Sequence, residues 1–84
     1  MPGYTLHPQV GLRPETFGAL AYHYGNRRLT FVNDDLLVAA LRCDSLSRDV
    51  DDALASVGVP EARRPAYKFA LARLADAEVL LASD

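Results

Sequence analysis

Residues 25–35 read GNRRLTFVNDD, and within this stretch the chain changes from the pattern of a strand to that of a helix. Gly25 and Asn26 both tolerate a positive φ, so they predict a tight turn into a strand with the sequence RRLTFV. Asn33 or Asp34 follows at once as a helix N-cap, because a short side-chain acceptor satisfies a free backbone amide. The stretch therefore predicts a strand joined directly to a helix.

Two further strands are predicted before this turn. QVGLR places Val10 and Leu12 on one face and is expected to stop at Pro14, which cannot donate to a strand ladder. FGALAYHY alternates, so its side chains divide between two faces. One face holds Leu20, Tyr22 and Tyr24, and the other holds Phe17, Ala19, Ala21 and His23. Together the three strands predict an antiparallel meander.

After residue 33 the apolar period lengthens to that of helices. The first predicted helix is LLVAALR, and the second spans about Arg48–Val57 and closes at Gly58, the usual left-handed cap. The third begins at Glu61 or Pro65 and ends near Ala75. The tail ADAEVLLAS has no glycine stop, so a fraying last turn and a short terminal strand both remain open.

Composition bounds the size and class of the protein. The 84 residues, 50% of them apolar, predict one domain over residues 1–84 with a single core. Strands followed by helices predict an α+β, winged-helix-like fold, with a three-stranded antiparallel sheet before three helices. Folding at this size buries only about 60% of the unfolded surface. We therefore expect a thin stability margin and reliance on a partner or on a homodimer.

Composition also narrows the setting in which the protein works. Cys43 is the lone cysteine, which excludes an intrachain disulfide and favours a reducing, cytoplasmic location. No stretch approaches the roughly 18 apolar residues that a membrane span requires, so we expect no membrane partner. The net charge of −2 weighs against a nucleic-acid partner, since phosphate binding needs a basic surface.

No residue pattern predicts catalysis. His7 and His23 have no histidine or cysteine neighbour at metal-ligand spacing. The serines lack a nucleophile-elbow context and a nearby base, and there is no glycine-rich phosphate loop. DVDD at 49–52 lacks the later glycine and glutamate of a calcium loop and is typical of a helix first turn. We therefore predict no enzymatic activity, no metal and no cofactor.

The third predicted helix has an aromatic residue outside its apolar stripe. On a helical wheel the stripe consists of Tyr67, Ala70, Leu71 and Leu74, while Phe69 points the opposite way beside Ala66 and Arg73. Phe69 is either covered by the N-terminal segment, or a lone exposed aromatic, or an anchor for a ligand in a groove. In the last case the helix offers small residues and cations around it: Ala62, Ala66, Ala70, Arg63, Arg64, Lys68 and Arg73.

The strand RRLTFV is a candidate binding edge. If it lies at the edge of the meander beside the third helix, its free backbone groups can accept an added strand, and we expect the Thr30 amide to face outward. Arg27 and Arg28 would then meet an acidic peptide. Protection of the edge against aggregation explains these arginines equally well. A winged helix that reads DNA with its third helix is a further alternative.

A resemblance to a known family favours the peptide. HPQVGLRPETFGALAYHYGNRRLTFVNDD, together with AYKFALARLADAEVL, resembles the mycofactocin precursor-peptide chaperones, which are RiPP recognition elements like the PQQ-pathway peptide chaperone. The resemblance covers nearly the whole chain, and LRPETFGAL followed by RRLTF is its specific part. It implies a non-enzymatic protein that binds the ribosomally made precursor peptide and presents it to a radical SAM maturase, whose iron–sulfur clusters perform the chemistry.

The resemblance also implies a site. In this group the leader peptide adds to the third strand of the meander and lies against the third helix. Carried over position by position, it implies the peptide-binding residues Arg27, Arg28, Leu29, Thr30, Phe31, Val32, Ala66, Phe69, Ala70 and Arg73. The family pattern has a glycine near DAEVL that this chain lacks. A winged-helix DNA-binding or regulatory protein remains the main alternative, and a small enzyme subunit is the third.

Overall fold

The computed structural model describes residues 3–83, so Met1, Pro2 and Asp84 of the predicted domain lie outside the described residues. The fold is α+β, as predicted. Its elements in chain order are β1 (Gly3–Leu6), β2 (Val10–Glu15), β3 (Gly18–His23), β4 (Leu29–Val32), α1 (Asp35–Leu41), α2 (Val50–Ser56), α3 (Arg64–Asp76) and β5 (Leu80–Ser83). Short 3-10 helices at Asp44–Ser47 and Glu61–Arg63 precede α2 and α3.

The predicted antiparallel meander is confirmed. Strand β3 lies between β2 and β4 and turns its small side chains inward. Ala19, Ala21 and His23 are buried, which confirms the predicted division of this strand into two faces. Phe17, which was predicted on the same face, precedes the strand and is 43% exposed. The winged-helix-like description of the whole arrangement stays a prediction.

Strand β2 does not stop at Pro14 but continues to Glu15. The Tyr24 amide donates to the Gln9 carbonyl at 2.7 Å, so Gln9 and Tyr24 form a hydrogen-bonded pair. Hydrogen-bonded and non-hydrogen-bonded pairs alternate along an antiparallel ladder, which makes Pro14 and Ala19 a non-hydrogen-bonded pair. The backbone nitrogen of Pro14 therefore faces the open edge of the sheet. Because no ladder bond is lost there, an edge strand accepts proline at this position.

The turn between β3 and β4 is wider than predicted. Arg27, rather than Gly25 or Asn26, has the positive φ of 61°. Asn26 Oδ1 accepts the Arg28 amide at 2.9 Å, and His23 Nδ1 accepts the amides of residues 25 and 26 at 3.0 and 3.1 Å. Two backbone bonds between His23 and residues 27 and 28 close the loop, and the side-chain acceptors satisfy the amides of residues 25, 26 and 28. Both arginines lie in this loop, before the strand that was predicted to contain them.

The first two helices begin at aspartate N-caps. Asp34 Oδ1 accepts the amides of Leu36 and Leu37 at 3.0 and 3.1 Å. Asp49 Oδ1 accepts the amides two and three residues on at 2.9 and 3.3 Å, which confirms DVDD as a helix first turn. The Asp34 cap starts α1 directly after β4, so the end of the strand and the start of the helix lie at one corner of the molecule.

The third helix is followed by a strand that pairs with the start of the chain. β5 and β1 form a two-stranded antiparallel sheet with Leu80 opposite Leu6. The terminal strand was one of two predicted alternatives, whereas β1 was not predicted. A single cluster of buried apolar residues joins the helices to both sheets, and its largest fully buried side chains are Leu54, Leu71, Leu80, Val50 and Val79.

Candidate functional site

A trough runs between β4 and α3. Its central hollow of about 310 Å³ is lined by Thr30, Phe31, Val32, Asn33, Leu37, Ala70, Arg73, Leu74 and Ala77. A hollow of about 250 Å³ that includes Arg63 and Ala66 adjoins one end, and another of about 510 Å³ that includes Phe69 and Asp76 adjoins the other. We call the three hollows together the β4–α3 trough. One wall is an open strand edge and the other is a helix rich in alanine.

Strand β4 is an edge of the meander, and its free backbone groups can be assigned. The His23 amide donates to the Arg28 carbonyl at 3.0 Å, so the register makes Ala21 and Thr30 a hydrogen-bonded pair as well. The Thr30 amide therefore points to β3, and the prediction that it faces outward is wrong. The backbone groups that face the open side belong to Leu29 and Phe31.

The structure brings together most of the residues that the resemblance implied. Thr30, Phe31, Val32, Ala70 and Arg73 line the central hollow, and Ala66 and Phe69 line the two adjoining ones. The remaining three lie elsewhere: Leu29 lines a hollow on the outer face of the sheet, and Arg27 and Arg28 are exposed in the loop before β4. The site is thus one groove with a basic loop at the start of its strand.

Phe69 lies outside the core, as the helical wheel predicts. It is 65% exposed, whereas Tyr67, Leu71 and Leu74 of the apolar stripe are buried. The Arg73 guanidinium lies 5.9 Å from the centroid of the Phe69 ring, within the range of a cation–π contact. The described part of the N-terminal segment pairs with β5 instead of covering Phe69. The structure therefore removes the first of the three explanations for this aromatic residue.

The cations of α3 divide between two sides of the helix. Lys68 Nζ lies 2.8 Å from Asp51 Oδ1 on α2, and this contact lowers the pKa of the Asp51 carboxyl. The prediction that Lys68 lies around Phe69 is therefore wrong. Arg63 lies 5.6 Å from the centroid of the Tyr67 ring and lines one end of the trough. Arg63 belongs to the 3-10 helix before α3, whereas Arg73 lies on the helix wall of the trough near Asp76.

A partly buried hydrogen bond joins the two walls of the trough. The Tyr67 hydroxyl donates to Asp34, at 3.0 Å to Oδ1 and 2.8 Å to Oδ2. The carboxylate, together with burial, raises the pKa of Tyr67. Asp34 caps α1 directly after β4, so the bond fixes the distance from α3 to the end of the strand. Sequence reasoning missed it, because it assigned Asp34 to a cap and Tyr67 to the core separately.

Residues 3–83 offer no cluster of three or more histidine, cysteine or acidic side chains that could hold a metal ion. The rings of His7 and His23 lie 4.4 Å apart, but Nδ1 of His23 already accepts two backbone amides. None of the helices in this part of the chain is long and apolar enough to cross a membrane.

Comparison with known proteins identifies the family. The model of the Peptide chaperone MftB family matches residues 3–81. Proteins named Peptide chaperone MftB from Mycobacterium ulcerans (strain Agy99) and Mycobacterium tuberculosis (strain ATCC 25618 / H37Rv) are 39% and 38% identical over 79 residues, which is 94% of this chain and 72% of each relative. The protein of that name from Mycolicibacterium smegmatis is 37% identical over 76 residues, 90% of this chain and 74% of the relative.

No solved structure matches the chain, so the assignment rests on sequence. The family match spans every element of the fold up to β5, including both walls of the trough. The resemblance carried by the meander and α3 is thereby confirmed. The chain belongs to the Peptide chaperone MftB family.

Proposed function

We propose that this chain binds the ribosomally made mycofactocin precursor peptide as a strand added to β4, and presents it to a radical SAM maturase. The observation that carries the proposal is the position of the open β4 edge, which borders the β4–α3 trough. Leu29 and Phe31 direct their free backbone groups to this side. An extended peptide can pair with them while its side chains enter the trough.

Backbone hydrogen bonds at the β4 edge are too weak to hold a peptide without further contacts in the trough. Two outward-facing residues supply about four backbone hydrogen bonds, each worth a net ~1 kcal/mol. Ordering the peptide backbone costs about 1–2 kcal/mol per residue, so these bonds alone do not hold it. Apolar contacts with Leu37, Leu74 and Phe69 must supply the rest. Ala66 and Ala70 leave room on the helix wall for another chain to approach.

The charges around the trough suit an acidic peptide. Arg63 and Arg73 line the trough together with Asp34, which is bonded to Tyr67, and Asp76, while Arg27 and Arg28 lie in the loop before β4. All four arginines are exposed, so they steer association more than they hold the complex. We therefore expect precursor binding to slow as salt increases, because screening weakens exposed charges first.

The chain itself is proposed to perform no chemistry. Its relatives are named peptide chaperones. Transformation of the precursor would fall to the maturase. A cytoplasmic location and a homodimer stay predictions. Duplex DNA binding near physiological salt would favour the winged-helix alternative and contradict the proposal.

Proline substitution tests strand addition. Phe31→Pro removes an outward-facing amide without breaking the β3–β4 ladder, and Pro14 shows that the other edge strand accepts proline at the equivalent position. Phe31→Ala is the matched control, because it removes the same ring and keeps the amide. Calorimetric titration with the synthetic precursor peptide should show Phe31→Pro binding about tenfold or more weakly than Phe31→Ala. Equal affinities of the two folded variants would contradict strand addition at β4.

A further inference from the structure

We propose that the outer face of β4 is a second contact surface for the same bound peptide, and that this peptide is apolar on both of its faces. The surface consists of Phe17, Leu29 and Phe31, which we call the outer apolar patch. The inference rests on the proposed function and deepens it, because the patch has this occupant only if a peptide adds to β4.

The outer apolar patch exposes three large apolar side chains together. Leu29 is 55% exposed and Phe31 is 68% exposed. The rings of Phe17 and Phe31 meet edge to face with 5.6 Å between their centroids. Single exposed apolar residues are common on protein surfaces, but a cluster of them beside an open strand edge indicates an interaction site.

Strand geometry connects the patch to the edge. Along a strand, the direction of the backbone amides and the face on which the side chains lie both alternate from one residue to the next. Leu29 and Phe31 therefore point their free amides to the open edge of β4 and place their side chains on the outer face of the sheet. Residues paired across a ladder place their side chains on the same face of the sheet. Peptide residues opposite Leu29 and Phe31 therefore lie beside the patch, and those opposite Thr30 and Val32 point into the trough.

The occupant is a short run of consecutive apolar residues with an acidic flank. A strand covered on both faces has a continuous apolar run rather than an alternating pattern, and the length of β4 corresponds to about four residues. Within residues 3–83, no carboxylate lies within 4.0 Å of the Arg27 or Arg28 guanidinium. These cations complement an acidic residue at that end of the run. The central hollow, bounded by β4 and α3, suits one extended chain.

An aspartate scan of the synthetic mycofactocin precursor peptide tests the pattern. Each leader residue is replaced in turn by aspartate, and affinity for the full chain is measured by calorimetric titration. The proposal expects a loss of tenfold or more at about four consecutive positions. Losses at every second position would overturn it and leave strand addition standing. Failure of the unsubstituted peptide to bind would contradict the proposed function itself.

Phe17→Ala tests the patch from the side of the protein. Phe17 lies outside β4, so its removal leaves the edge amides intact, and it is 43% exposed, so the fold should tolerate the change. Leu81→Ala is the matched control, because Leu81 is equally exposed on the other sheet. We expect Phe17→Ala to bind the peptide about threefold to tenfold more weakly, and Leu81→Ala to bind like wild type. Unchanged binding by Phe17→Ala would overturn the proposal.

A second copy of the chain is the competing occupant of the patch. Light scattering after gel filtration measures the mass of wild type and of Phe31→Asp without peptide. The proposal expects Phe31→Asp to leave the mass of the free protein unchanged, since the patch contacts the bound peptide and no second copy of the chain. A wild-type dimer that Phe31→Asp dissociates would assign the patch to self-association and overturn the proposal.

Discussion

At the residue scale, the hydrogen bond from Tyr67 to Asp34 couples the stability of the fold to the shape of the β4–α3 trough. Tyr67 is buried on α3, while Asp34 holds the corner where β4 becomes α1. A hydrogen bond to a charged partner contributes about 1.5–3 kcal/mol. Its loss would leave a partly exposed carboxylate that still caps α1 but no longer positions α3.

We predict that Tyr67→Phe lowers the free energy of unfolding by about 2 kcal/mol near neutral pH and also weakens precursor binding. Urea denaturation and calorimetric titration measure the two effects. Tyr22→Phe is the control, because the Tyr22 hydroxyl makes no hydrogen bond with any residue of 3–83. A Tyr67→Phe variant as stable as this control would show that the bond contributes nothing to the fold.

The difference between wild type and Tyr67→Phe should depend on pH. The raised pKa of Tyr67 means that the folded state holds the phenolic proton more tightly than the unfolded state. Its contribution is therefore full below the unfolded value of about 10 and is lost as pH rises through the folded value. Urea denaturation should show the difference shrinking at alkaline pH. A difference that stays constant across that range would contradict the assigned cause.

At the element scale, α2 and α3 end in the same motif with different residues. The Val59 amide donates to the Leu54 carbonyl at 2.9 Å, and the Val79 amide donates to the Leu74 carbonyl at 2.9 Å. The left-handed position is Gly58 in the first helix, with φ of 91°, and a glutamate in the second. That glutamate stands near the place where the family pattern has the glycine that this chain lacks.

We predict that Glu78→Gly stabilises the protein. A left-handed conformation costs a non-glycine residue about 1–2 kcal/mol, and substitution by glycine removes this strain. Glycine also loses more conformational entropy on folding, which offsets about 0.5–1 kcal/mol of the gain. The net gain is about 0.5–1 kcal/mol, and thermal denaturation should show it as a rise of a few degrees. Gly58→Ala is the opposite control, because nothing lies within 4 Å of the added Cβ and only backbone strain acts. A lower melting temperature for Glu78→Gly would contradict the motif.

The elements show which parts of the fold were readable from sequence. The faces of β3 and the aspartate caps depend on neighbouring residues, so local patterns predicted them. The turn after β3 depends on β2: the Tyr24 amide bonds to Gln9, so it cannot also bond to β4. The His23 amide bonds to β4 instead, at the Arg28 carbonyl, which widens the loop. The hydrogen-bonded pairs then fall on the other residues of β4, so the Thr30 amide points to β3 and not outward. The pairing of β1 with β5 joins the two ends of the chain, and no local signal reveals it.

At the scale of the whole molecule, one face of α3 packs against the core and another face lines the trough. Leu71 is fully buried in the cluster that joins both sheets, while Phe69 stands outside it. The residues of the trough could be proposed from sequence because the resemblance covers both β4 and α3. The tether from Tyr67 to Asp34 and the orientation of Lys68 toward α2 required the three-dimensional packing.

We predict opposite effects for two truncations on this helix. Leu71→Ala should lower the free energy of unfolding by about 2–5 kcal/mol, a large part of the stability of so small a domain, while its folded fraction binds normally. Phe69→Ala should change stability by less than about 1 kcal/mol and weaken precursor binding about thirtyfold. Denaturation and titration of both variants measure this. The reverse pattern would show that the two faces of α3 are wrongly assigned.

The central claim is that a peptide strand adds to the open edge of β4, and amide hydrogen exchange followed by NMR tests it most directly. Exchange is measured for the four residues of β4 in the free protein and in the protein saturated with the synthetic precursor peptide. We predict that the amides of Leu29 and Phe31 become strongly protected on binding, while those of Thr30 and Val32, which already bond to β3, change little. Leu29 and Phe31 amides that exchange equally fast with and without bound peptide would contradict the claim.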